Sequence, residues 1–66
     1  MARGTVAEFD ERRGLGTITA EDGTSYSFHA TRIADGSRQI APDTAVDFEI
    51  VAGQLGRWEA AAIVPC

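Results

Sequence analysis

The chain has 66 residues and a mass of 7.0 kDa, enough for one small domain spanning residues 1–66 and no second one. Six basic residues against ten acidic ones give a net charge of −4, and that overall field disfavours generic binding to duplex DNA. No apolar run is long enough to span a membrane, the opening Met1-Ala2-Arg3-Gly4 leads into no leader-like stretch, and the single cysteine, Cys66, fits a reducing cytoplasm better than a disulfide scaffold.

Seven glycines punctuate the sequence at intervals that suit short strands better than helices. The first strand-like run is Gly4-Thr5-Val6-Ala7-Glu8-Phe9. The second is Leu15-Gly16-Thr17-Ile18-Thr19-Ala20. Glu21-Asp22-Gly23-Thr24 then carries an Asp-Gly turn signal. Ser25-Tyr26-Ser27-Phe28-His29 alternates, with Tyr26 and Phe28 on one face and His29 on the other. Residues 31 to 42 show no period and read as a long loop, with a short helical turn near Thr31 to Ala34. In Ala45-Val46-Asp47-Phe48-Glu49-Ile50-Val51 the apolar positions Val46, Phe48 and Ile50 alternate with acids. The last run is Trp58-Glu59-Ala60-Ala61-Ala62-Ile63-Val64, ended by Pro65. Its alanines would suit a helix, but a helix of about seven residues is marginal and Ile63-Val64 favours a strand.

Five short strands predict an all-β protein, and closing them into a small barrel removes exposed edges. The expected filling is Val6, Ile18, Tyr26, Phe28, Ile33, Val46, Phe48, Ile50 and Ile63. The acids Glu21, Asp22, Asp47, Glu49 and Glu59 read as a solvated rear surface.

Gly4-Thr5-Val6, Phe9, Arg13-Gly14-Leu15-Gly16-Thr17-Ile18 and Asp22-Gly23 together resemble the opening of a bacterial cold-shock domain. Phe28-His29, Ile33 with Asp35-Gly36, Val46-Asp47-Phe48-Glu49-Ile50 and Gly53…Gly56…Ala60-Ala61 continue the resemblance through nearly the whole chain. It implies a small five-stranded antiparallel OB barrel that binds single-stranded RNA or DNA by stacking bases on aromatics of its first three strands. This chain departs from that pattern where the stackers belong. Glu8 stands where the family usually has tryptophan, and Leu15 and Thr17 stand where it has phenylalanines. His29 keeps its place, but Ser27 and Ala30 flank it, Ser37 occupies the long loop, and Ala7 replaces a lysine. Stacking is worth roughly 1–3 kcal/mol per base, so the expected affinity is weak.

The expected contact residues are Arg13, Leu15, Thr17, His29, Arg32, Arg38, Arg57 and Trp58. Guanidinium groups bind phosphate bidentately and stack on bases, although codon usage rich in arginine and alanine would produce the same six arginines. His29 could stack on a base or, when protonated, meet a phosphate. Trp58 either caps the barrel end or offers a stacking platform or protein contact. Gly14-Leu15-Gly16 lacks the remaining glycine and the helix of a phosphate loop, and reads as a bend at a barrel corner. No paired carboxylates, nucleophile–base set or metal-ligand spacing stands out, so no enzyme activity, cofactor or metal is expected. The expected role is that of a small regulator or RNA chaperone. A second reading keeps the fold and gives the wall of Glu8, Leu15, Thr17, Ser27 and Ala30 to a basic protein partner.

Overall fold

The computed structural model describes residues 2–34, 39–53 and 56–66. Its strands are β1 (Ala2–Asp10), β2 (Leu15–Ala20), β3 (Ser25–His29), β4 (Ala45–Ala52) and β5 (Trp58–Pro65), with a 3₁₀ turn at Ala30–Arg32 after β3. They close into a barrel in the order β1-β2-β3-β5-β4, with β4 returning to pair with β1. Every pairing is antiparallel except that of β3 with β5, which is parallel and places Ser27 opposite Glu59. No helix among the described residues is long and apolar enough to cross a membrane.

Local chemistry fixes the two tight connections. The Asp10 carboxylate accepts from the backbone N–H groups of Arg12 and Arg13 at 3.0 and 3.3 Å, which folds the chain back from β1 to β2. In the next turn Asp22 accepts from the Thr24 N–H at 2.9 Å, and that bond holds the Asp22 carboxyl below the usual carboxylate range. Gly23 follows at φ 89°, a conformation that a side chain resists. The Asp-Gly signal in the sequence therefore does form this turn.

The core gathers Val6, Ile18, Phe28, Ile33, Ile40, Val46, Phe48, Ala60 and Ile63. Seven of the nine residues expected from alternation are among them. Tyr26 is half-buried at the rim, its ring tilted against Phe48 with centroids 5.6 Å apart. Ile50 does not join the core and is 43% exposed. The reason lies in the neighbouring strand: among the described residues β1 flanks β4 only from Ala45 to Phe48, so Glu49–Ala52 has β5 on one side and no described strand on the other. Ile40, from the segment without periodicity, is buried instead, and so are Ala60 and Ala61.

Two irregularities break the period of two. Val6 pairs with Ile18 but Glu8 pairs with Thr17, so Ala7 is an extra residue on β1. On β5, Asp47 pairs with Val64 and Glu49 with Ala61, which leaves an extra residue near Ala62, at φ 50°. The second bulge explains how Ala60 and Ile63, three residues apart, are both buried. Across β1 and β4, Arg3 Nε donates to Asp47 Oδ1 at 2.9 Å. That bond keeps the Asp47 carboxyl below its ordinary value and the guanidinium above its own.

Phe48 is fully buried, pairs with Ala2 of β1 and packs its ring against Tyr26 of β3. Truncation to alanine should cost ~3–5 kcal/mol, comparable to the whole stability of a domain this size. Phe48→Ala is therefore expected to lose its cooperative melting transition, read by circular dichroism; a variant melting with the parent would contradict this core.

Candidate nucleic-acid interface

The β1–β2–β3 register arranges the outer wall in rows. Cα partners share a face, so Glu8, Thr17, Ser27 and Glu59 form one row across β1, β2, β3 and β5. Asp10, Leu15 and His29 form a second row, two residues along. Between them runs the inward row of Phe9, Gly16 and Phe28.

That middle row sets the geometry of the other two. Gly16 has no side chain, and the rings of Phe9 and Phe28 meet across it, with centroids 5.8 Å apart and planes within 4°. A Cβ on Gly16 would lie 2.7 Å from Phe28 Cε1 and 2.9 Å from the Glu8 carbonyl oxygen. The glycine is thus required by close approach, in agreement with a structural rather than phosphate-binding role for Gly14-Leu15-Gly16. The bulge at Ala7 brings Phe9 to this inward row and leaves Glu8 exposed.

The expected contact residues distribute around the two outer rows. Leu15 is 40% exposed and directly opposite His29, which is also exposed. Thr17 is half-buried between Glu8 and Ser27. Leu15, Thr17 and Arg13 border a hollow of about 340 Å³ that also touches Phe9 and Asp10. Arg13 lies 3.9 Å from the Asp10 carboxylate, so its charge is partly answered within the chain. Arg13 also shares a second hollow with Arg12 and His29. Arg32, at the end of the 3₁₀ turn, shares a third with His29, Gly53 and Glu59. Trp58, 60% exposed, and Arg57 border a fourth with Tyr26, Ser27 and Glu59. Ser27 belongs to both the Leu15 hollow and the Trp58 hollow, so these are adjoining stretches of one wall. Arg38, like Ser37, lies outside the described residues.

Two expectations need correction. Ala30 is buried at the start of the 3₁₀ turn, where its N–H donates to the Gly14 carbonyl at 2.8 Å, so it is not part of an outer face. Glu59 is not on a rear surface: barrel closure pairs it with Ser27 and sets it between His29 and Trp58. Phe9 and Asp10 also belong to this region without having been expected there. The bulge hides Phe9 from a period-two reading, and Asp10 emerges only from its pairing with Leu15.

A closed five-stranded barrel with this strand order agrees with the fold implied by the sequence resemblance. Residues 2–66 match the model of a protein family described as the "Cold-shock" DNA-binding domain. The chain belongs to the cold-shock domain family. It is 39% identical over 61 residues to glycine-rich protein 2 of Nicotiana sylvestris, covering 89% of this chain but only 28% of that protein. It is 37% identical over 57 residues to the cold shock-like protein CspLB of Listeria monocytogenes, covering 85% and 86% of the two chains. It is 39% identical over 56 residues to the cold shock-like protein CspE of Buchnera aphidicola from Acyrthosiphon pisum, covering 82% and 81%. Membership places the chain in a nucleic-acid-binding class.

The glycine between the two rings offers a direct test. Gly16→Ala should destabilise the barrel by about 1–3 kcal/mol through overpacking. The loss, measured by urea denaturation, should be smaller when introduced into Phe28→Leu, because the shortened side chain leaves space for the new methyl group. Equal losses in both backgrounds would show that the ring and the glycine are not coupled.

Proposed function

We propose that this cold-shock domain binds single-stranded RNA or DNA weakly, along the wall formed by β2 and β3 and extended by the start of β5. The observation that carries this reading is the cross-strand pair of Leu15 and His29, both exposed on one face of the barrel. His29 supplies a ring for a base and Leu15 an apolar floor beside it. Arg13, Arg32 and Arg57 supply charge for phosphates around that strip. Trp58 adds a second ring farther along, and Thr17 flanks Ser27 on the β2 side. Their arrangement supports a strand passing from the Leu15 hollow to the Trp58 hollow by way of Ser27.

Two features support weakness. Stacking on each lost aromatic would have contributed roughly 1–3 kcal/mol per base, and Glu8, Leu15, Thr17 and Ser27 provide no such ring. Glu8, Asp10 and Glu59 also place three carboxylates on or beside the strip, where they oppose phosphate. Low affinity suits a small cytoplasmic regulator or RNA chaperone that must release its strand readily. The same three carboxylates favour a second reading, a basic protein partner on this wall; its capture from lysate would then survive nuclease treatment.

Titration of a labelled oligopyrimidine at low salt, followed by anisotropy, should give saturable binding. The logarithm of the binding constant should fall with the logarithm of salt concentration, by ~0.7 per phosphate neutralised. No binding at millimolar protein would overturn the proposal. In the reverse direction, the combined variant Glu8→Trp, Leu15→Phe, Thr17→Phe and Ser27→Phe should bind the same strand at least ~100-fold more tightly, about three rings at the low end of the stacking range already sufficing. An unchanged affinity in a folded variant would mean that the wall is misplaced.

A further inference from the structure

Glu59 occupies a position that its neighbours make specific. It is half-buried, paired with Ser27 across the parallel β3–β5 contact, and shared by two hollows. One hollow contains the exposed ring of Trp58, the other the exposed ring of His29. Its side chain lies over Gly53: a Cβ there would come 2.5 Å from the Glu59 carboxylate. The Gly53 N–H donates to the Arg57 carbonyl at 2.6 Å, which closes the base of the loop beneath it. Among the described residues the Glu59 carboxylate has no ion-pair partner, although Arg32 borders the same hollow. A carboxylate with free lone pairs therefore stands between two rings on which bases can lie.

We propose that Glu59 makes this wall selective for guanine. The inference rests on the reading of the wall as a single-strand site and adds a base preference to it. An ionised carboxylate is acceptor-only. In a single strand the Watson–Crick edges are open to side chains. Guanine alone presents two adjacent donors on that edge, the ring N1–H and the exocyclic amine, matching the two carboxylate oxygens. Cytosine and adenine offer one amine beside a ring-nitrogen acceptor. Uracil and thymine offer one N–H flanked by two carbonyl oxygens, which a carboxylate repels. A guanine stacked on Trp58 or His29 would thus convert a charge that opposes phosphate into a charge-assisted pair of hydrogen bonds.

The test uses the full chain and three labelled thymidine heptamers, read by fluorescence anisotropy. The central nucleotide is thymidine, deoxyguanosine or deoxyinosine, the last lacking only the exocyclic amine. The guanosine strand should bind about tenfold more tightly than the all-thymidine strand, with inosine between them. Glu59→Gln should tighten binding of the all-thymidine strand, because a negative charge is removed, while narrowing the guanosine advantage to about threefold or less. Equal affinity of the parent for guanosine and thymidine strands would overturn the preference while leaving single-strand binding intact. So would an undiminished advantage in Glu59→Gln. If that variant fails to fold, the inosine comparison on the parent still decides. Failure of all three strands to bind would remove the single-strand reading and this inference with it.

Discussion

The stacking of Phe9 on Phe28 across a glycine is the contact on which the arrangement of the wall depends. Three strands meet there, and each contributes one residue: a ring, a gap and a ring. Because the gap is Gly16, the two rings fill the space that a β2 side chain would occupy, and the three strands curl toward the interior. The rows on either side must then point outward. Glu8, Thr17 and Ser27 on one side, and Asp10, Leu15 and His29 on the other, owe their exposure to the packing beneath them. The interior of this barrel has kept its aromatic content while the exterior has lost most of its own.

That division has an energetic meaning. Buried rings contribute to stability through area removed from water and through their mutual geometry. Exposed rings contribute to stability far less, and contribute to ligand binding instead. Replacing outer aromatics by Glu8, Leu15, Thr17 and Ser27 can therefore leave the fold intact while changing what the surface attracts. The arginines do not restore what the aromatics supplied. Arg3 is bonded to Asp47 and Arg13 approaches Asp10, so part of the positive charge is answered inside the molecule. What reaches an approaching strand is a mixed field with few platforms, in which individual positions such as His29, Trp58 and Glu59 matter more than the overall sign.

Much of the architecture was legible in the residues. β2 and β3 follow from alternation and from the Asp22-Gly23 turn, and β5 from the preference of Ile63-Val64 for extended backbone. The outward placement of His29 follows from its parity with Tyr26 and Phe28 within one uninterrupted strand. Legibility fails where a local period meets a distant constraint. Ile50 has the right parity for the core, but β1 stops flanking β4 at Phe48, and no pattern within β4 announces that. Ile40 sits in a stretch without periodicity, yet the open space of the core accepts it. Glu59 looks like one of a set of solvated acids until the barrel closes and brings β5 beside β3, far apart in sequence. Ala30 follows outward His29, so alternation itself turns it inward, and the 3₁₀ turn that begins there keeps it buried.

The extra residue at Ala7 has a consequence for how this lineage can change. In a strand, facing in or out is a matter of counting, and the bulge inserts one count between Val6 and Glu8. Residues before it obey one parity and those after it the other. Were Ala7 to take a place in the ladder, Glu8 would turn inward and Phe9 would turn into water; loss of the Ala7 codon would instead keep both faces and only straighten the strand. The bulge is therefore the place in β1 where a change of length leaves the two faces of the wall as they are, while substitutions at Glu8 alter the outer face alone.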